Sequence, residues 1–404
     1  MTSGSNPFEG MPFFGDLLKM LGTQGPVQWD GARQLALSIA TDGGSEPNVD
    51  PMERIRFEQL ARVAELHVAK ATDLPTSSSG TVTITPVTRA QWVMATLDAF
   101  KPLVERMAAA LHPPAPTGTE THPAIEDDPG SDPTEAWLGQ IMGLLSPMLL
   151  GMTTGSMVGH LATRNFGLYD LPVPRPVTDD VAVIAANIDA FGKDWSIDGD
   201  DLRLWVCLDQ LTRHAVLRVP HVRDRIQSLL LDYAGAFESD PDALGSKLAD
   251  LDVDPMGGGD PMARFQELMG DPEVVLGAVR SPRQNELLPQ LEALVSVIEG
   301  YVDHVMDRVG HGLIGSYGQV TESMHRRRVE ASSSDRFVER LLGLDLNQDH
   351  FDRGRAFVDG VIERAGADGL SRLWTGAEML PTPNEVAAPG LWLARIDLPN
   401  LPEA

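Results

Sequence analysis

Apolar positions along the chain recur mostly three and four residues apart, the spacing of amphipathic helices rather than of half-buried strands. Residues 53 to 72, ERIRFEQLARVAELHVAKAT, put Ile55, Leu60, Val63, Leu66 and Val68 broadly on one side of a helix. NELLPQLEALVSVIEGYVDHVMDRV, residues 285 to 309, extends the same pattern, with Pro289 in its first turns. Another helix is predicted from DWSIDGDDLRLW onward, with Asp198 or Asp200 as its N-cap and Pro220 as its stop. HFDRGRAFVDGVIERAG, residues 350 to 366, continues the theme in a C-terminal part that closes with LPTPNEVAAPGLWLARI. Strand signals are few. VAVIAANIDAF, residues 181 to 191, reads as a strand or a short buried helix, and SSSGTVTITPVTRA as a loop with at most one short strand. The expected fold class is mainly α with a small β element.

Two stretches complicate that pattern. WLGQIMGLLSPMLLGMTTGSMVGHLA, residues 137 to 162, is long enough to suggest a membrane span, with Gly151, Gly155 and Gly159 spaced by four. Gln140, Ser146, Pro147, Thr153, Thr154, Ser156 and His160 interrupt it, and acids rather than bases precede it. A buried helix pair, packed closely at the glycines, is therefore expected. Residues 112 to 135 hold six prolines and six acids with no Lys or Arg, the composition of a solvated, disordered insertion. A glycine-rich loop, DVDPMGGGDPM, covers residues 252 to 262. The expected organisation is an N-terminal helical region (1–111), the insertion (112–135), a core (136–320) and a C-terminal helical subdomain (321–404).

Composition narrows the range of partners. A chain of 404 residues with 42% apolar and 22% charged side chains is that of a folded protein. Its 58 acids against 32 bases give a net charge of −26, which opposes phosphate backbones and anionic lipid. Neither nucleic acid nor a membrane surface is an expected partner. Cys207 is the only cysteine, so no disulfide framework or thiolate metal site is available. The opening MTSGSNPFEGMPFFGDLLKML lacks the pattern of a secretory leader, and a cytoplasmic protein is expected.

The residues that could carry chemistry lie on two of the helices. Glu299 and Asp303 in EGYVD are four apart and share a face. A Glu ligand supported by an Asp is one way a helix contributes to a zinc site, although E-x-x-x-D also marks many solvated faces. Asp209 and Arg213, in WVCLDQLTRHAVLRVPH (205 to 221), form an acid-first pair at the same spacing. His214 and His221 are separated by the helix-breaking Pro220 and read as solvent-facing or hydrogen-bonded. His304 points off the Glu299 face, His311 lies among glycines, and Cys207 reads as core. The run HRRR, 325 to 328, reads as a helix end or a source of ion pairs. No HExxH, phosphate-cradling glycine loop or nucleophile elbow is present.

GPVQWDGARQLA (25 to 36), FGLYDLPVP, NIDAF before DLRLWVCLDQLTRHAV, LEALVSVIEGYVDHVMD, FDRGRAFVDGV and LPTPNEVAAPGLWLARI stand in the order found in one family. From about residue 20 to its end the chain resembles the zincin-like proteins of actinobacteria described as hydrolases or zinc-dependent metalloproteases. The resemblance implies a zincin-like fold with additional helical subdomains. It also implies an HExxH motif where this chain has Asp209-Gln210-Leu211-Thr212-Arg213, with Glu299 as third ligand and Asp303 behind it. Zinc is the cofactor implied for active relatives. Here both imidazoles are replaced, Gln210 is no general base, and Arg213 cannot bind a metal, so no metal is expected. Arg213 is instead expected to bridge Asp209 and Glu299 as an ion clamp. The expected function is that of an inactive pseudo-peptidase keeping a cleft for a polypeptide or protein partner. An active hydrolase using Asp209, Glu299 and a displaced ligand such as His214 remains open beside it. So does a purely structural scaffold.

Overall fold

The computed structural model describes residues 25–111, 133–239, 278–330, 333–344 and 346–398. Most of the acidic insertion and the whole glycine-rich loop at 252–262 lie outside the described residues; the insertion's last three residues open a helix. The chain begins with helices α1 (Trp29–Ala40) and α2 (Pro51–Thr72), strand β1 (Thr83–Val87), and helices α3 (Arg89–Leu111) and α4 (Pro133–Arg164). Strand β2 (Asp180–Ile184) then pairs in parallel with β1, from Thr83 opposite Asp180 to Val87 opposite Ile184. It runs straight into α5 (Ala185–Asp194), so the stretch that read as strand or helix is both. Val181 and Val183 face the core, while Thr83 and Thr85 hydrogen-bond the Asp180 carboxylate on the exposed face.

The centre of the molecule is a helix pair. α6 (Gly199–Arg218) starts at Asp198, whose side chain accepts from the backbone N–H groups of Asp200 and Asp201. It ends where Pro220 opens α7 (Pro220–Ala234). α8 (Pro282–Gly310) starts with a capping box made by Ser281 and Gln284. Both helices are buried on nearly every face through their central turns, polar residues included, so they are enclosed on all sides. α9 (Tyr317–Val329), α10 (Ser333–Leu342) and α11 (Gln348–Ala365) follow, then short turns and the terminal helices Pro383–Ala387 and Pro389–Asp397. The helices, with the small parallel sheet, make the mainly α fold that the apolar spacing indicates.

α2 departs from its expected orientation. Its buried side chains are Phe57, Ala61, Ala64 and Val68, whereas Ile55, Val63 and Leu66 are exposed, Leu66 by 68%. The alanines explain the choice, because a small-residue stripe lets α2 lie close against α6. Arg203 of α6 fastens that contact by an ion pair from Nε to Glu53 at 3.0 Å.

The glycine-spaced segment also differs from expectation. It is one helix containing Pro147, not a pair, and its glycines face α1. A Cβ at Gly155 would sit 2.4 Å from the Ala32 carbonyl oxygen, and one at Gly151 2.7 Å from that of Gln28. Among the described residues no helix is long and apolar enough to cross a membrane.

Gly155→Ala should therefore lower stability by about 1–3 kcal/mol through overpacking, despite the gain in helix propensity. Gly318→Ala, at a position with open space around it, should be neutral or slightly stabilising. Denaturant unfolding of the two variants decides; a neutral Gly155→Ala would mean that α1 and α4 are not in backbone contact.

Candidate functional site

Midway along α6, the side chains of Asp209, Gln210 and Arg213 meet Glu299 from α8, and none of the four residues exposes more than 5% of its surface. α8 is held against α11 by a crossing of bare backbone. A Cβ at Gly354 would fall 2.0 Å from the Ser296 carbonyl oxygen, and one at the adjacent Gly300 would strike Gly354. Glu299 lies between Ser296 and Gly300, the α8 residues at that crossing, which fixes its height along the site.

Arg213 joins the two helices. Its Nε donates to both oxygens of Asp209, at 3.1 and 3.0 Å, and its Nη2 donates to Glu299 Oε2 at 2.9 Å. Nη1 donates to Glu299 Oε1, completing a fork-to-fork pair. Burial alone would push both carboxyls up. At Glu299 the guanidinium's charge and hydrogen bonds overcome burial and hold the group below its ordinary value. At Asp209 burial wins over Arg213, helped by repulsion from Asp170 and Glu299, and the carboxyl is raised. The two acids in turn hold the Arg213 proton well above the ordinary range.

A second tier of polar groups surrounds this cluster. Gln210 accepts from the Tyr169 backbone N–H at 3.0 Å and donates to Asp170 at 2.9 Å. Asp170 also accepts from the Phe166 and Gly167 backbone N–H groups and from Arg327. Asp303 lies one step out, where both its oxygens accept from Arg328 Nη1, at 3.0 and 3.1 Å. Arg327 lies 3.9 Å above the Phe166 ring and Arg328 5.0 Å from that of Phe351. The HRRR run on α9 is thus part of the site's wall. Its arginines were visible in the sequence as ion-pair donors, but nothing in the spacing tied them to Asp170 or Asp303. Asp170, inside FGLYDLPVP, carried no chemical signal of its own.

These elements enclose a cavity of about 110 Å³, walled by Trp205, Arg213, Glu299, Arg328 and Phe351 among others. The other candidate residues lie outside the cluster. His214 is fully engaged, Nδ1 with the Tyr169 hydroxyl at 2.8 Å and Nε2 with the Thr76 carbonyl at 3.0 Å. His221 meets the Leu373 carbonyl at 3.4 Å and the His311 ring is tilted against Tyr317 at 4.3 Å. The His304 imidazole is held below its ordinary value by burial and by Arg308. Cys207 is buried, and burial pushes its thiol far up, so it is an inert core side chain.

The family model of zincin-like metallopeptidases matches residues 27–393, and the chain belongs to that family. A crystal structure from Chloroflexus aurantiacus, described as "a putative hydrolase with a novel fold", is similar in architecture. The two are 22% identical with a TM-score of 0.58, over 93% of this chain and all of that one. At that identity the likeness establishes the fold alone. No curated protein matches the sequence.

Family membership raises the question of zinc. A zincin centre needs neutral imidazoles and carboxylates with free lone pairs. Here both central carboxylates are spent on Arg213, which has no lone pair to offer, and His214 is bonded at both nitrogens. Among the described residues no group of three His, Cys, Asp or Glu could hold a metal ion. The donor set does not fit zinc.

Two measurements test this geometry. Arg213→Ala strands two buried acids and should cost about 3–5 kcal/mol, against about 0.3–0.5 for an exposed helix pair. A loss under 1 kcal/mol on urea unfolding would mean that the two helices do not meet here. The second concerns His214, whose pKa is lowered from 6.5 to about 4 by burial and by the Arg218 charge. Below pH 6.5 the unfolded chain takes up a proton that the folded chain refuses. Stability should fall between pH 6.5 and 4, by about 3 kcal/mol for this group, and its contribution should level off below. His214→Gln should flatten that part of the profile; identical slopes in both proteins would show that His214 is not held neutral.

Proposed function

We propose that this chain is a non-hydrolytic member of the zincin-like metallopeptidases, in which the guanidinium of Arg213 takes the structural place of the metal. The single observation that supports the reading is the bridge from Arg213 to both Asp209 and Glu299, which leaves neither acid available to a metal. Asp209, Gln210 and Arg213 then stand where a catalytic relative carries its HExxH side chains, with Asp303 behind Glu299.

A general base is missing as well as a metal. Gln210 has no basic lone pair, and its amide is committed to Tyr169 and Asp170. What remains is binding, and we assign the surface around the central cavity to a polypeptide or protein partner, of which the cavity itself, at about 110 Å³, would admit one side chain. The open volume above Arg213 favours this over a purely structural scaffold, whose cleft would be filled. The acid excess argues against nucleic acid or an anionic membrane as the partner, and the single buried cysteine suits a reducing cytoplasm.

Protein purified without added metal should carry no stoichiometric zinc by elemental analysis and leave casein uncut. Zinc at one equivalent, removable by a chelator together with a peptidase activity, would overturn the reading. The combined change Asp209→His, Gln210→Glu and Arg213→His should create a zinc-binding set with Glu299. Its melting temperature should then rise on adding zinc, because a ligand that binds only the folded state stabilises it. The unchanged protein should show no such rise.

A further inference from the structure

A second cavity, of about 250 Å³, adjoins the central one and shares Arg164, Phe166 and Arg327 with it. Phe191, Trp195 and Arg89 complete the walls that matter here. The three aromatic rings form a continuous surface, with Phe166 edge-on to Phe191 at 5.3 Å and Phe191 tilted against Trp195 at 5.8 Å.

Arg89 is the unusual member. Its Nε donates to Asn187 Oδ1 at 2.8 Å, its guanidinium forms no ion pair among the described residues, and the Glu46 carboxylate beside it accepts from the backbone N–H groups of Arg89 and Ala90. Asn187 is itself fixed, its amide donating to the Ala162 and Asn165 carbonyls at 2.9 and 2.7 Å. The guanidinium is therefore held in position by a neutral group through Nε, and its two terminal nitrogens make no hydrogen bond among the described residues. The acids lining the cavity, Asp194 and Glu330, are exposed and screened by solvent, whereas Arg89, Arg164 and Arg327 are half-buried. Arg327 is matched by Asp170 and Arg164 has partners of its own, so Arg89 is the cation of this cavity that has donors to spare.

We propose that this cavity is a binding site for a small aromatic carboxylate, its carboxyl group on Arg89 and its ring against Phe191 and Trp195. The forked donors of a guanidinium match a carboxylate, and the aromatic wall offers edge and face to a planar ring. Pockets for drug-sized ligands run from about 300 to 1,000 Å³; this one, at about 250 Å³, suits a single ring with its acid group. The site does not depend on whether the neighbouring cluster ever holds a metal.

Calorimetric titration of the full chain with benzoate tests it, with benzamide and inorganic phosphate as comparators. Benzoate should bind saturably at millimolar concentration. Benzamide, lacking the charge, should bind about tenfold more weakly or worse, and phosphate should compete poorly because it lacks the ring. Arg89→Gln should weaken benzoate about tenfold. Ala190→Phe, at an exposed position of α5 on the cavity wall, should abolish binding without disturbing the core. Equal binding of benzoate and benzamide, phosphate as effective as benzoate, no saturation at all, or binding indifferent to Ala190→Phe would each overturn the proposal. The three-ligand comparison on the unchanged protein decides even if a variant fails to fold.

Discussion

One buried cation holds two buried acids from two helices, and the centre of the molecule is arranged around that bond. Two carboxylates taken out of water beside each other would repel and would each cost several kcal/mol in lost hydration. Arg213 offsets both costs with three donor nitrogens in one plane, a geometry that Lys could not supply. The bond spans α6 and α8, so it also sets how far one helix can slide or turn on the other. Gln210 ties it to the next layer by donating to Asp209 and to Asp170, while Asp303 and Arg328 form a separate ion pair one step out.

The sheet and the glycine contacts play the part of scaffolding for this bond. β1 and β2 place Phe166 and Gly167 beside α6, with Phe166 accepting from Ile184 and the Gly167 carbonyl accepting from Trp92. Gly167 itself leaves room for the Gln210 side chain, which a Cβ would strike at 2.2 Å. Tight backbone spacing recurs between α8 and α11, and between α1 and α4. Each brings carbonyl oxygens where side chains would normally stand, and together they leave little freedom for the central pair to relax.

Much of this was legible from spacing alone. The helix from Asp198 to Pro220, the long run to residue 309 and the kinship of Asp209 with Arg213 all follow from caps, breakers and a four-residue interval. α2 was misread because hydrophobicity was weighed by size. Ile55, Val63 and Leu66 carry more apolar area than Ala61 and Ala64, but closeness to α6 rewarded the smaller residues. The glycine-spaced helix was misread as two because Pro147 is tolerated inside it, where its carbonyl accepts from the Gln28 N–H. The roles of Asp170, Arg327 and Arg328 depend on elements more than a hundred residues apart in some pairs, and no local pattern encodes them. Arg89 stayed silent for the same reason: a lone arginine in a sequence does not reveal that its terminal nitrogens will have donors to spare.

The enclosure of α6 on every side constrains the routes by which its central triad could have changed. On a surface helix, Asp209, Gln210 and Arg213 could be exchanged for other residues in any order. Here each intermediate must survive as a folded protein with its charges out of water. Removing Arg213 alone would leave Asp209 and Glu299 buried beside each other with no cation between them. Removing either acid alone would leave Arg213 with one buried partner in place of two. The three positions can therefore change only in company, and the enclosure of the helix, more than its pattern of charges, decides which substitutions the protein survives.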